Sequence, residues 1–193
     1  MNPFDNAGVF LVQAVFDLYI FIVMLRIVLQ WVHADFANPI FELVAKLTNK
    51  PLRFIRRFVP MISGIDLPAM ILLLALEVFK LILLVWMQAD TVPGIFGLIV
   101  LGFAELLGQL ISIFFYSLLG LAILSWVNPL AHGALVDVLY RLCEPLLRPV
   151  RRILPPVAGF DLSPIPVMLG LKLVSILLVQ PLIQIGTTLA IGS

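Results

Sequence analysis

Apolar residues run almost unbroken through four stretches, Val9–Val32, Leu67–Met87, Ile95–Val127 and Ile165–Ile185. An α-helix rises 1.5 Å per residue, so about 20 residues cross a hydrocarbon core about 30 Å thick. Each stretch therefore predicts a transmembrane helix, and the third is too long for one straight perpendicular span. Gly94, Gly97 and Gly102 predict an interfacial or tilted opening piece around 94–103. Between the spans lie two long segments, 33–66 and 128–164, and a short one, 88–94. Each pair of spans reads as a helical hairpin. The alternating ten-residue segments of a membrane β-barrel do not occur.

Composition agrees with a lipid solvent. Residues AVILMFWYC make up 62% of the 193 residues, DEKR only 12%, and mean hydropathy is +1.16. A soluble domain carries about 45–50% apolar and about 25% charged residues. The net charge of +1 gives no footprint for nucleic acid. Cys143 is the single cysteine, and His33 and His132 are the only histidines, so no disulfide or metal set is expected. The opening MNPFDNAG lacks a basic region and carries Asp5, so the first span is expected to be retained rather than cleaved.

Charge placement predicts orientation. Nine of the twelve Lys and Arg fall in the two long segments: Lys46, Lys50, Arg53, Arg56, Arg57, Arg141, Arg148, Arg151 and Arg152. The positive-inside bias puts both segments in the cytoplasm and both termini on the outer side.

The chain also repeats. QWV at 30–32 returns as SWV at 125–127, PLRFIRRFVP at 51–60 as PLLRPVRRILP at 145–155, and GIDLPA at 64–69 as GFDLSP at 159–164. The offset is 95 at the first and last of these, and the second copy of the arginine segment is one residue longer. Two spans per copy give both copies the same orientation, unlike the inverted repeats of many transporters. The expected architecture is an all-α membrane protein: four transmembrane helices as two parallel two-helix repeats, 1–92 and 93–193, about a pseudo-twofold axis along the membrane normal.

These motifs carry a resemblance. SWVNP, EPLLRPVRRILP and GFDLSP in the second copy resemble the YggT family of small bacterial membrane proteins. The likeness covers residues 20–87 and 115–180, and the first copy departs from it at Lys50, Phe54 and Pro68–Ala69. The resemblance implies a four-helix, multi-pass protein of the bacterial inner membrane. Bacterial relatives are linked to osmotic or ion-stress tolerance, and single-repeat relatives to cell division or, in plastids, to haem attachment.

Three groups of polar residues are candidates for function. Arg53, Arg56 and Arg57, like Arg148, Arg151 and Arg152, are spaced to share one helical face. With apolar neighbours between them, they read as amphipathic segments at the cytoplasmic interface, the second broken up by Pro145, Pro149 and Pro155. They serve topology alone or also grip anionic lipid headgroups or a partner protein. Asp66 and Asp161 stand where the second and fourth spans begin and are expected to cap those helices, aided by Gly64, Gly159, Pro68 and Pro164. A link from Asp66 to Arg57, and from Asp161 to Arg152, is the alternative use.

Asp17, Arg26, Glu77, Lys80 and Lys172 lie inside spans, where an unpaired charge is costly. Helical rise permits Arg26–Glu77 and Asp17–Lys80 pairs. Glu77 and Lys172 are 95 apart and could meet across the pseudo-axis. Trp31, Trp86 and Trp126 read as interface anchors. No GxSxG, HExxH or phosphate-loop motif occurs, so neither an enzyme nor a cofactor is expected. The preferred reading is a non-enzymatic scaffold or accessory factor acting through its basic loops on anionic lipid, another membrane protein or further copies of itself. The alternative is a protein that conducts or senses ions or small osmolytes through its intramembrane charges.

Overall fold

The computed structural model describes residues 3–33, 38–60, 66–88, 93–128, 131–154 and 161–191. Gly64, Gly159 and Pro155 lie outside the described residues, as does the side chain of Trp126. Among the described residues every regular element is helical: α1 (Pro3–Trp31), α2 (Pro39–Ile55), α3 (Leu67–Gln88), α4 (Ile95–Val127), α5 (Ala134–Arg151), α6 (Pro164–Val174) and α7 (Gln180–Ile191). A π-helical turn, Ser175–Val179, joins α6 to α7. It ends two residues before Pro181, whose ring would collide with the carbonyl four residues back in a regular helix, and the wider turn relieves that clash. Four helices are long and apolar enough to cross a membrane: Asn6–Trp31, Leu67–Gln88, Ile95–Ser125 and Pro164–Ala190.

The third span is a single helix of 33 residues, about 50 Å at 1.5 Å per residue. Its glycines do not loosen it, contrary to the sequence expectation; Gly94 and Gly97 admit α7, and Gly102 faces Glu77 and Val78 of α3. A Cβ on Gly97 would collide with the Ala190 backbone nitrogen, and one on Gly186 would sit 2.7 Å from the Leu101 nitrogen. The Gly94 N–H donates to the Ala190 carbonyl at 2.8 Å. Small residues at a membrane helix contact let the backbones close in, and van der Waals packing then holds them.

α2 and α5 are the amphipathic elements. Asn38 caps α2 by accepting the Ile40 N–H at 2.9 Å, with Pro39 in the first turn. One stripe of α2 is buried (Phe41, Val44, Thr48 and Leu52), and α5 buries Val138, Leu142, Cys143 and Leu147. Thr48 and Leu52 are 95 positions from Cys143 and Leu147, so the repeat reproduces the buried face. These helices start well before the arginine motifs, which lie at their C-terminal ends. Pro145 and Pro149 do not segment α5, which continues through both.

The two copies do not obey a twofold relation. α3 of the first copy packs on α4 of the second, but among the described residues α1 makes no contact with α6 or α7. A twofold interface would require both contacts, since each side must present the same patch. The α6–α7 span is consequently the least covered of the four.

Candidate functional site

Two polar assemblies, one in each copy, tie the basic segments to the spans. In the first, the Asp66 side chain is buried and accepts the Ala69 N–H at 3.3 Å, capping α3. Its other oxygen, Oδ2, lies 2.6 Å from Arg56 Nη2 and 3.9 Å from Arg26 Nε. Arg26 reaches from α1 to Thr48 Oγ1 at 2.6 Å and Asn49 Oδ1 at 2.8 Å. A guanidinium suits this task because its planar fork bonds several acceptors at once. In the second copy, Asp161 accepts the Ser163 N–H at 2.9 Å, and both Arg151 Nε and Nη2 donate to its Oδ2, at 2.9 and 2.7 Å. Arg151 also bonds Glu144 at 3.0 Å. Burial alone would raise the Asp161 carboxyl, but the hydrogen bonds from Ser163 and Arg151 outweigh it and hold the group below the usual carboxylate range.

Asp66 thus both caps and links, whereas Asp161 links and bonds the Ser163 N–H just ahead of α6 without capping that helix; the linking arginines are Arg56 and Arg151, ten residues upstream. Arg57 and Arg152, the expected partners, are exposed instead. A turn follows each amphipathic helix at this point, so Arg56 and Arg151 face the aspartate while their neighbours face away. Arg53, Arg57, Arg148 and Arg152 remain exposed, beside apolar side chains that are also exposed: Phe54 69%, Phe58 70% and Ile153 80%.

The equivalent of Arg26 in the second copy is Leu121, and that of Thr48 is Cys143. Both belong to an apolar cluster with Leu118 and Leu147. Burial pushes the Cys143 thiol up to about 12, against a smaller lowering by Arg151.

The remaining charges gather deeper in the bundle. Lys80 is buried, with its ammonium 2.8 Å from Asp17, 2.5 Å from Glu77 and 3.2 Å from Glu105. Gln109 donates to the Asp17 backbone carbonyl at 3.4 Å. The Asp17–Lys80 pair is present, as expected. Arg26 does not meet Glu77, because Thr48, Asn49 and Asp66 engage it nearer the α2 end. Glu77 does not meet Lys172 either: it turns to Lys80 on its own helix, one turn away. Lys172 lies exposed on α6 with no ion-pair or hydrogen-bond partner among the described residues. Glu105 was missed in the sequence, although it is a charge inside a span like the others. Its repeat equivalent is Phe10, so the repeat does not point to it.

The CCB3/YggT family model matches residues 6–87 and 100–182, once over each copy. The chain belongs to the CCB3/YggT family. The uncharacterized protein YggT of Escherichia coli K12 is 35% identical over 189 residues, 97% of both chains. An uncharacterized protein of Pseudomonas aeruginosa is 35% identical over 183 residues, 94% of this chain and 93% of that one. One from Vibrio alginolyticus is 34% identical over 174 residues, 90% of this chain and 94% of that one. No solved structure matches. In this YggT-family chain the arginine and Asp-Leu segments that recur between its two copies build the Arg56–Asp66 and Arg151–Asp161 links.

Proposed function

We propose that the protein is a non-enzymatic accessory or scaffold protein of the bacterial inner membrane that holds anionic lipid against its cytoplasmic face. The observation that carries this reading is the division of the arginines. Arg56 and Arg151 are engaged by carboxylates, whereas Arg53, Arg57, Arg148 and Arg152 are exposed beside Phe54, Phe58 and Ile153. Exposed cations beside exposed apolar side chains suit the headgroup boundary, where rings and aliphatic chains enter the acyl region and guanidinium groups meet phosphate. Each basic residue near an anionic surface contributes about 1 kcal/mol. The positive-inside bias places these ends in the cytoplasm and both termini in the periplasm. A role in osmotic or ion-stress tolerance, or in assembly of a membrane complex, fits a protein whose basic face is bound to lipid or to a partner seated on it.

Thermal unfolding in detergent with added lipid tests this. Phosphatidylglycerol should raise the melting temperature more than phosphatidylcholine, and Arg148→Gln with Arg152→Gln should remove most of the difference. Equal stabilisation by the two lipids contradicts the proposal.

A second reading rests on the deeper cluster. A cavity of about 220 Å³ is lined by Gln13, Asp17, Glu77, Lys80, Glu105 and Gln109. Three carboxylates around one ammonium suit a hydrated cation site, and intramembrane ionisable groups commonly mark ion paths. Cation flux into proteoliposomes that falls in Glu105→Gln would support it, and absence of flux in the unaltered protein would dismiss it.

A further inference from the structure

The polar side chains of three spans converge on one open side of the bundle. A groove of about 410 Å³ lies between α1, α4 and α5, walled by Phe21, Leu25, Gln109, Ser112, Tyr116 and Leu139 among others. A second groove, about 470 Å³, lies between α4 and α6 and is walled by Ser112, Tyr116, Met168, Lys172 and Ser175 among others. Ser112 and Tyr116 line both, so the grooves open on the same side, with α4 as the ridge between them. The Asp17 cavity also shares Gln109 with the first groove and continues it. Helices α1, α4 and α6 therefore stand in a row, with α4 in the middle.

Charge along this row is unbalanced. At its α1 end Asp17, Glu77 and Glu105 share the single ammonium of Lys80, and the Asp17 and Glu105 side chains are 44% and 36% exposed. At its α6 end Lys172 is exposed without a partner among the described residues. Tyr116, 68% exposed, stands on the ridge between them. Ionisable groups inside a membrane face protein or water and pair with one another, because hydrocarbon does not solvate them. A surface with surplus carboxylate at one end and surplus ammonium at the other is complementary to itself after a half-turn.

We propose that two copies of this chain associate across the Tyr116 face, about a twofold axis along the membrane normal, with Asp17 of each copy facing Lys172 of the other. The half-turn reverses the row, so α4 meets α4 and α1 meets α6; each Lys172 gains a carboxylate partner and offsets one of the two surplus negative charges at the α1 end. Tyr116 then lies close to its own copy near the axis, beside grooves that receive an aromatic ring. The pairing also gives α6 a neighbouring span from the other repeat, which α3 has in α4 but α6 lacks within the chain. This association does not rest on the lipid reading, because none of its residues belongs to the arginine segments.

Disulfide cross-linking of the full-length protein in its native membrane tests the proposal. In a Cys143→Ala background, Tyr116→Cys and Ser112→Cys should each give an oxidised band at twice the chain mass. Phe79→Cys, at an exposed position on α3 outside the row, should not. Lys172→Asp or Asp17→Lys added to Tyr116→Cys should lower the cross-linked fraction severalfold, and the two together should restore it. Lys80 keeps Glu77 and Glu105 in the Asp17→Lys variant, so its own pairing survives. No dimer band with either Tyr116→Cys or Ser112→Cys, equal bands with Phe79→Cys, or a band at the mass of a different partner overturns the proposal. So does failure of the double charge exchange to restore a band that each well-behaved single exchange has lowered.

Discussion

Arg56 Nη2 lies 2.6 Å from the Asp66 carboxylate, joining the end of one amphipathic helix to the first turn of the next span. The contact recurs between Arg151 and Asp161, each 95 positions later. The link ties the only basic segment of each copy to its second span. It also fixes which arginines face outward: Arg56 and Arg151 turn in, and their neighbours are left exposed.

Removing the carboxylates should loosen both ends of this link. Asp66→Asn leaves the half-buried Arg56 and the buried Arg26 without an ionised partner, a loss of about 1–3 kcal/mol. The melting temperature in detergent should fall accordingly, and less for Asp161→Asn, whose site is more open. The pH dependence has a definite sign. The Asp161 carboxyl is depressed in the folded protein, so its contribution is complete above the unfolded value of about 3.9 and is lost as pH falls through the lower folded value. Melting temperature should drop in that acid range, and Asp161→Asn should flatten the drop. Identical acid profiles for the two proteins would contradict the assignment.

Glycine positions separate contact from mere flexibility. Gly97→Ala and Gly186→Ala place a methyl group on opposing backbone at α4–α7 and should each destabilise by about 1–3 kcal/mol. Gly170→Ala meets nothing within 4 Å and should be neutral or stabilising, since alanine favours a helix over glycine by about 1 kcal/mol. Thermal unfolding of the three variants side by side checks the ordering, and a neutral Gly97→Ala would mean the helices are further apart than described.

Much of the fold was legible because its signals are local. Four apolar runs of sufficient length mark the four spans, and Asp66 beside Leu67 marks a capped helix start. Partner choice was not legible, because it depends on depth and direction together. Vertical reach allowed Arg26 to meet Glu77, but α2 interposes Thr48 and Asn49. The register of the link was misjudged by one residue, since the turn after Ile55 decides which arginine faces the cap. The repeat suggested a twofold relation, yet equivalence in sequence does not compel symmetric packing, and α3 found α4 without a matching contact between α6 and α1. Prolines 145 and 149 suggested breaks that buried packing of α5 overrides.

Orientation is open to direct assay. Alkaline phosphatase fused after Ser193 should be active in the periplasm, and a reporter inserted beside His132 should behave as cytoplasmic. The reverse pattern would put the exposed arginines on the wrong leaflet for the lipid proposal.

The central claim is that the four outward arginines hold anionic lipid. Native mass spectrometry of the protein released from detergent counts the lipids it retains. The unaltered protein should carry phosphatidylglycerol or cardiolipin in preference to phosphatidylethanolamine. A variant with Arg53, Arg57, Arg148 and Arg152 all changed to Gln should lose that preference while remaining folded. Retention of the same anionic lipids by the variant, or no preference in the unaltered protein, would contradict the account.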